Sequence, residues 1–314
     1  MNDVAEGLKG RDFTSIRAWT RPELARVLDL ADELKARRAR GAPTDVLPGR
    51  TVGLLFQKPS TRTRVSFEVG VAELGSTPVF LASSDLQLGR GESIRDTAYV
   101  LSRYLGAIMI RTFAQADVDE LAAHASVPVV NGLTDEEHPC QALADLMTIR
   151  ERLGPLDGLR IAYVGDGNNV CVSLMQACAR FGARFVAAAP DDYRPPSRAV
   201  EEALASAEKA GGGVDVVRDP AEAVAGAQAV YTDVWASMGQ EAERQTRTRA
   251  FRGYAVTSGL LELAAPEAIV LHCLPAHPGE EIAEDLLYGP RSAVWDQAEN
   301  RLHTQKALLA LIVP

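Results

Sequence analysis

A chain of 314 residues, 46% of them hydrophobic, has enough apolar material for two ordinary domains, each with its own core. The formal net charge of -9 opposes attraction to nucleic acid or to an anionic membrane over the surface as a whole, so an anionic ligand has to be caught by a local cationic site. Four cysteines (Cys140, Cys171, Cys178, Cys273) show neither CxxC spacing nor the density of a disulfide scaffold, which points to a reduced, cytoplasmic setting.

The segment Met1 to Phe13 is too polar for a secretory signal, and no apolar run approaches the roughly 18 residues of a membrane span. Thr20-Arg21-Pro22-Glu23 reads as a capping box with proline in the first turn, followed by helical spacing to about Lys35. Short β-rich runs at Thr51–Phe56, Pro78–Leu81, Ala107–Arg111 and Pro128–Val130 then alternate with amphipathic stretches, among them Thr63 to Leu74. A helix from Pro139 to Leu153 closes this half. Strand-like runs resume at Arg160–Val164, Arg184–Ala188, Val214–Val217, Ala229–Thr232 and Ala268–Leu271, and Glu299 to Val313 reads as a last helix. The alternation predicts an α/β protein of two domains, each a parallel β-sheet flanked by helices, with a hinge near Glu151–Gly158.

Ser60-Thr61-Arg62-Thr63-Arg64 sits where a strand gives way to a helix. Backbone N–H groups, hydroxyls and guanidinium forks at a helix start suit a phosphate dianion, and two arginines at the end the macrodipole disfavours for cations strengthen that reading. Arg62 is the expected phosphate ligand. Arg111 ends an apolar strand, where open α/β sheets present ligand groups. His138 precedes Gln141 by three residues on one helical face, although a histidine before proline at a helix start also serves as a cap or packed polar group.

In the second half, Gly165-Asp166-Gly167-Asn168-Asn169 follows a strand and invites a dinucleotide reading. The third glycine of GxGxxG would fall at Val170, so the fingerprint fails at its helix-packing position; the alternative is a nicotinamide-dependent oxidoreductase with Asp191 as the ribose acid. Asp233 ends a β-rich run and is followed by Ser237-Met238-Gly239 and a charged stretch to Arg252 with few apolar anchors, read as a loop able to close over a substrate. His272-Cys273-Leu274-Pro275-Ala276-His277 offers two imidazoles and a thiol, but no matching pair completes a tetrahedral set, and no metal is expected. Cys171, Cys178, Trp235 and Trp295 are expected in the core.

Phe56 to Arg64 resembles the carbamoyl-phosphate motif of the aspartate and ornithine carbamoyltransferases. The likeness continues through Met109-Ile110-Arg111-Thr112, His138-Pro139-Cys140-Gln141, Gly165 to Asn169, Asp233 to Gly239, His272-Cys273-Leu274-Pro275 and Glu299-Asn300-Arg301, spanning nearly the whole chain. Gln87, and Ser237-Met238-Gly239, favour the ornithine branch. The resemblance implies a carbamoyl-phosphate domain over residues 1–150, joined by a C-terminal helix, 296–314, that packs back on it, and an ornithine domain over 151–295. Ser60, Thr61, Arg62, Thr63, Gln87, Arg111, His138, Pro139, Cys140, Gln141, Cys273, Leu274 and Arg301 would bind carbamoyl phosphate, with Arg111, His138, Gln141, Cys273 and Arg301 catalytic. Asn169, Asp233, Ser237 and Met238 would hold L-ornithine. It further implies a homotrimer in which the Gln87 loop reaches a neighbouring subunit, with no cofactor, no nucleic acid and no membrane as partner.

Overall fold

The computed structural model describes residues 7–237 and 241–314. Two compact units divide the chain: residues 1–144 with 299–314, and residues 145–298. The first division falls inside a helix, upstream of the stretch 151–158 where the turn residues cluster.

In the first unit the capped helix forms as α1 (Arg21–Ala39), with the Glu23 carboxylate accepting from the Thr20 backbone N–H at 2.7 Å. It is followed by β1 (Thr51–Phe56), α2 (Thr61–Glu73), β2 (Thr77–Ala82), α3 (Ile94–Leu101), β3 (Ala107–Arg111), α4 (Gln115–His124) and β4 (Val129–Leu133). The strands are parallel in the order β2-β1-β3-β4. Strands β1, β3 and β4 are buried almost throughout, as continuous apolar runs covered on both faces should be. The helix α5 (Pro139–Leu153) begins in this unit and ends in the next.

The second unit contains β5 (Arg160–Val164), α6 (Asn169–Arg180), β6 (Arg184–Ala188), α7 (Ser197–Ala210), β7 (Gly213–Val217), α8 (Pro220–Val224), β8 (Ala229–Thr232), α9 (Arg244–Ala250), α10 (Ser258–Leu261), β9 (Ile269–His272) and α11 (Glu284–Leu287). Its five parallel strands run β7-β6-β5-β8-β9. The last helix, α12 (Val294–Ile312), ends within the first unit, where Lys306 is fully buried and its Nζ pairs with Glu73 Oε2 of α2 at 2.6 Å. The C-terminal helix thus packs on the N-terminal domain. Among the described residues, no helix is long and apolar enough to cross a membrane.

Three expectations change. The charged stretch read as a loop after Asp233 contains α9, whose Arg247 is buried. The final helix starts earlier than apolar spacing suggested, because its first turn inverts the usual pattern: Gln297 is fully buried and Trp295 is 51% exposed. Trp295 is therefore not a core residue and instead stacks on the exposed Tyr288, ring centres 5.8 Å apart. Cys171, Cys178 and Trp235 are buried as expected.

Candidate active site

Each sheet has a point where the strand order reverses, and ligands of open α/β sheets collect beyond the carboxyl ends of the strands there. In the first unit that point lies between β1 and β3, whose register pairs Phe56 with Arg111. The loop leaving β1 runs directly into α2. Ser60 caps this helix, its Oγ accepting from the Thr63 N–H at 3.2 Å, so Thr61 and Arg62 occupy the first turn, where N–H groups lack intrahelical partners.

Arg301 of α12 ties this turn to α5. One of its nitrogens donates to Gln141 Oε1 at 2.7 Å and another to Thr63 Oγ1 at 3.2 Å. With its amide oxygen turned toward Arg301, Gln305 accepts from Nη2 at 2.9 Å and Nε at 3.1 Å, and its nitrogen donates to Ser66 Oγ at 2.7 Å. A buried guanidinium held by three acceptor side chains has a fixed direction. Ser66 and Gln305 were not singled out in the sequence; the only trace of them is that each lies one helical turn from an expected site residue.

His138, at the start of α5, is buried, and so are Arg111, Gln141 and Arg301, whereas Arg62 is half-buried. Burial and the neighbouring guanidiniums of Arg301, Arg111 and Arg62 hold the His138 imidazole well below its ordinary pKa. It is a neutral ring at physiological pH, surrounded by fixed positive charge. Cys140 turns elsewhere: its Sγ donates to the Asn131 carbonyl at 3.3 Å, and burial pushes the thiol up to about 12, so it is not a thiolate. Gln87 opens a short 3-10 turn, is exposed, and takes no part in the hydrogen bonds just described.

In the second unit the order reverses between β5 and β8, with Val164 opposite Thr232. The turn after β5 ends at Asn168, the cap of α6, whose Oδ1 accepts from the N–H groups of Val170 and Cys171 at 3.0 and 3.1 Å. Its Nδ2 donates to Asp233 Oδ2 at 2.8 Å, while Asp233 Oδ1 accepts from Cys273 Sγ at 3.0 Å. Asp233 is thereby held from both sides, by Asn168 and Cys273. Asn169 is the first residue of α6 and half-buried, as is Ser237; Met238 lies outside the described residues.

Arg247 is a third residue missed by sequence reasoning. It donates to Asp166 Oδ2 at 2.8 Å and to the Trp235 carbonyl at 3.0 Å, tying the β5 turn to the segment after Asp233. Burial, opposed by the Arg247 charge, pushes Asp166 up to about 6. Gly167 makes the same turn possible: a Cβ there would lie 2.2 Å from the Pro195 nitrogen. Leu274 takes the left-handed backbone, φ 59°, and its N–H donates to His272 Nδ1 at 2.8 Å. That bond leaves the His272 proton on Nε2, which faces Glu281 Oε1 at 3.2 Å.

A capped helix start rich in hydroxyl and guanidinium groups in one parallel α/β unit, and a carboxylate held at the switch point of another, are features of an enzyme built on paired α/β units. Residues 11–151 match the carbamoyl-P binding domain of the aspartate/ornithine carbamoyltransferases and residues 157–312 their Asp/Orn binding domain. The chain belongs to the aspartate/ornithine carbamoyltransferase family. It is 58% identical to the ornithine carbamoyltransferase of Symbiobacterium thermophilum, over 98% of this chain and 99% of that protein. It is 51% identical to that of Pyrococcus horikoshii, over 98% and 96% respectively. The solved ornithine carbamoyltransferase of Pyrococcus furiosus superposes with a TM-score of 0.95 at 50% identity, covering 98% of both chains.

Proposed function

We propose that this chain transfers the carbamoyl group of carbamoyl phosphate to the δ-amine of L-ornithine, giving L-citrulline and phosphate, in the arginine-forming direction or its reverse. The observation that carries this reading is the uncharged His138 imidazole among Arg62, Arg111 and Arg301. A neutral ring donates one hydrogen bond without adding charge, while the guanidiniums stabilise both the dianion that binds and the charge that grows on the leaving phosphate.

In this reading Ser60, Thr61, Arg62 and Thr63 hold the phosphate, joined by Gln87 from a neighbouring subunit of a homotrimer. Arg111, His138 and Gln141 address the carbamoyl group, and Arg301 holds Gln141 and Thr63 in place. The carbonyls of Pro139 and Leu274 accept from the carbamoyl NH2, with Cys140 shaping the helix start and Cys273 beside the acceptor. Asp233 pairs with the ornithine ammonium, Asn169 with its carboxylate, and Ser237 and Met238 with the polar end. The δ-amine lone pair forms the new C–N bond, the C–O bond to phosphate breaks with its electrons on oxygen, and the surplus amine proton leaves to phosphate or water. No metal or organic cofactor enters these steps, and the setting is the cytoplasm.

Colorimetric detection of citrulline after mixing the purified chain with carbamoyl phosphate and ornithine tests substrate, acceptor and reaction type together. Aspartate, acetylated ornithine and putrescine run in parallel examine the acceptor. Turnover confined to ornithine supports the reading; turnover with another amine alone reassigns the acceptor, and none with any overturns it.

A further inference from the structure

The segment after β9 carries metal-type donors that carbamoyl transfer does not use. In His277-Pro278-Gly279-Glu280 the Glu280 N–H donates to the His277 carbonyl at 2.9 Å, with proline second and a glycine of φ 90° third, the pattern of a type II turn. Gly279 N–H then donates to the Ile282 carbonyl at 2.9 Å, which doubles the chain back. As a result, one donor atom each from His277, Glu280 and Glu281 lie within 4.8 Å of one another.

Glu281 is fully buried, and its two oxygens are treated differently. Oε1 accepts from the His277 backbone N–H at 2.5 Å and faces His272 Nε2. Oε2 is buried with no hydrogen-bond donor and lies 3.7 Å from His277 Nδ1. Burial raises the pKa of this carboxyl, but the donors from His272 and His277 outweigh it and keep the group ionised. A buried anionic oxygen without a donor, directed at a half-exposed imidazole, has the makings of a ligand atom.

We propose that His277 Nδ1 and one oxygen each of Glu280 and Glu281 form a site for a divalent transition-metal ion of the zinc type, with water completing its coordination. One imidazole with two carboxylates suits Zn2+, Co2+ or Ni2+, whereas Mg2+ prefers oxygen alone and Cu+ prefers sulfur. The site has a built-in competitor. Glu280 also accepts from Arg244 at 2.5 Å, at the start of α9, so a bound ion draws Glu280 away from that guanidinium.

Asp233, His272 and Cys273 also lie within 4.8 Å of one another. There, however, both ring nitrogens of His272 are engaged, by the Leu274 N–H and by Glu281. A metal at that position would also be marked by its bond to sulfur. The proposal is independent of the acceptor assigned above.

The test titrates the purified full-length protein with Zn2+ by calorimetry and with Co2+ by absorption spectroscopy. The expected result is one ion per chain, weakened roughly tenfold or more by His277→Ala and by Glu280→Gln, and tightened by Arg244→Gln. The Co2+ complex should lack a thiolate charge-transfer band. His277 and Glu280 both reach solvent, so these variants retain the fold. Absence of binding, affinity unchanged in His277→Ala, or a thiolate band that disappears in Cys273→Ser would each overturn the proposal.

Discussion

The role proposed for His138 depends on what its surroundings deny it. Enclosed with Arg301, Arg111 and Arg62, the imidazole loses its proton far below the pH at which a free histidine does. It should therefore contribute no inflection to the rate between pH 6 and 8. The amine that attacks titrates near 10.4, so at pH 7.4 only about one molecule in a thousand is neutral, equivalent to roughly 4 kcal/mol. We expect kcat/KM for ornithine to climb from pH 7 to 9.5, and a flat profile would rule out attack by the neutral amine. His138→Ala should lower kcat about 10²–10³-fold, the usual cost of one donor to a developing oxyanion, with a smaller effect on ornithine KM. Linkage gives a second readout. The unfolded chain protonates His138 near pH 6.5 while the folded chain resists, so native stability falls as pH drops below about 6.5. The Tm of His138→Ala should fall less steeply from pH 7 to 5 than that of the parent.

At the level of elements, the turn after β5 and the segment after β8 depend on each other. Arg247→Gln leaves Asp166 buried without its cation, which by analogy with other broken buried pairs costs about 3 kcal/mol, and it releases the Trp235 carbonyl. Ornithine KM should rise more than kcat falls, whereas a purely structural role would lower Tm alone. Gly167→Ala should act on the same turn from the opposite side, since the Pro195 backbone must move to admit a Cβ; overpacking of this kind costs about 1–3 kcal/mol, measured as denaturant midpoint. The strands of both units were legible in the sequence because a strand buried on both faces is a continuous apolar run: Thr51–Phe56, Ala107–Arg111, Arg160–Val164, Arg184–Ala188 and Ala229–Thr232 stand where that rule puts them. The capped helix start at Ser60 was legible too, since its groups are neighbours in the chain. What escaped were polar side chains that do the work of apolar ones. Buried Arg247 anchors α9 through Asp166, and buried Gln297 bonds Asp145 Oδ1 at 2.6 Å and the Tyr231 hydroxyl at 3.0 Å, so neither segment shows a hydrophobic period. The Ser66–Gln305–Arg301 network escaped because its partners are far apart in sequence.

For the whole molecule, the open question is whether one chain is a complete catalyst. Gln87 matches a family position yet is exposed on its own turn, outside the hydrogen bonds that gather Thr63, Gln141 and Arg301. The first unit also leaves Val65, Val69, Tyr99, Val100 and Tyr104 exposed. If Gln87 acts in the site of a neighbour, the native mass in light scattering should be about three times that of the 33.7 kDa chain. Gln87→Ala and His138→Ala should then each be nearly inactive alone. When the two are unfolded together and reassembled in equal amounts, random assortment in a ring pairs an intact His138 with an intact neighbouring Gln87 at about a quarter of the sites. Activity should recover to roughly that fraction of the parent's. If Gln87 served its own chain, no mixed site would be whole and the mixture would stay as inactive as its components, even with the trimer intact.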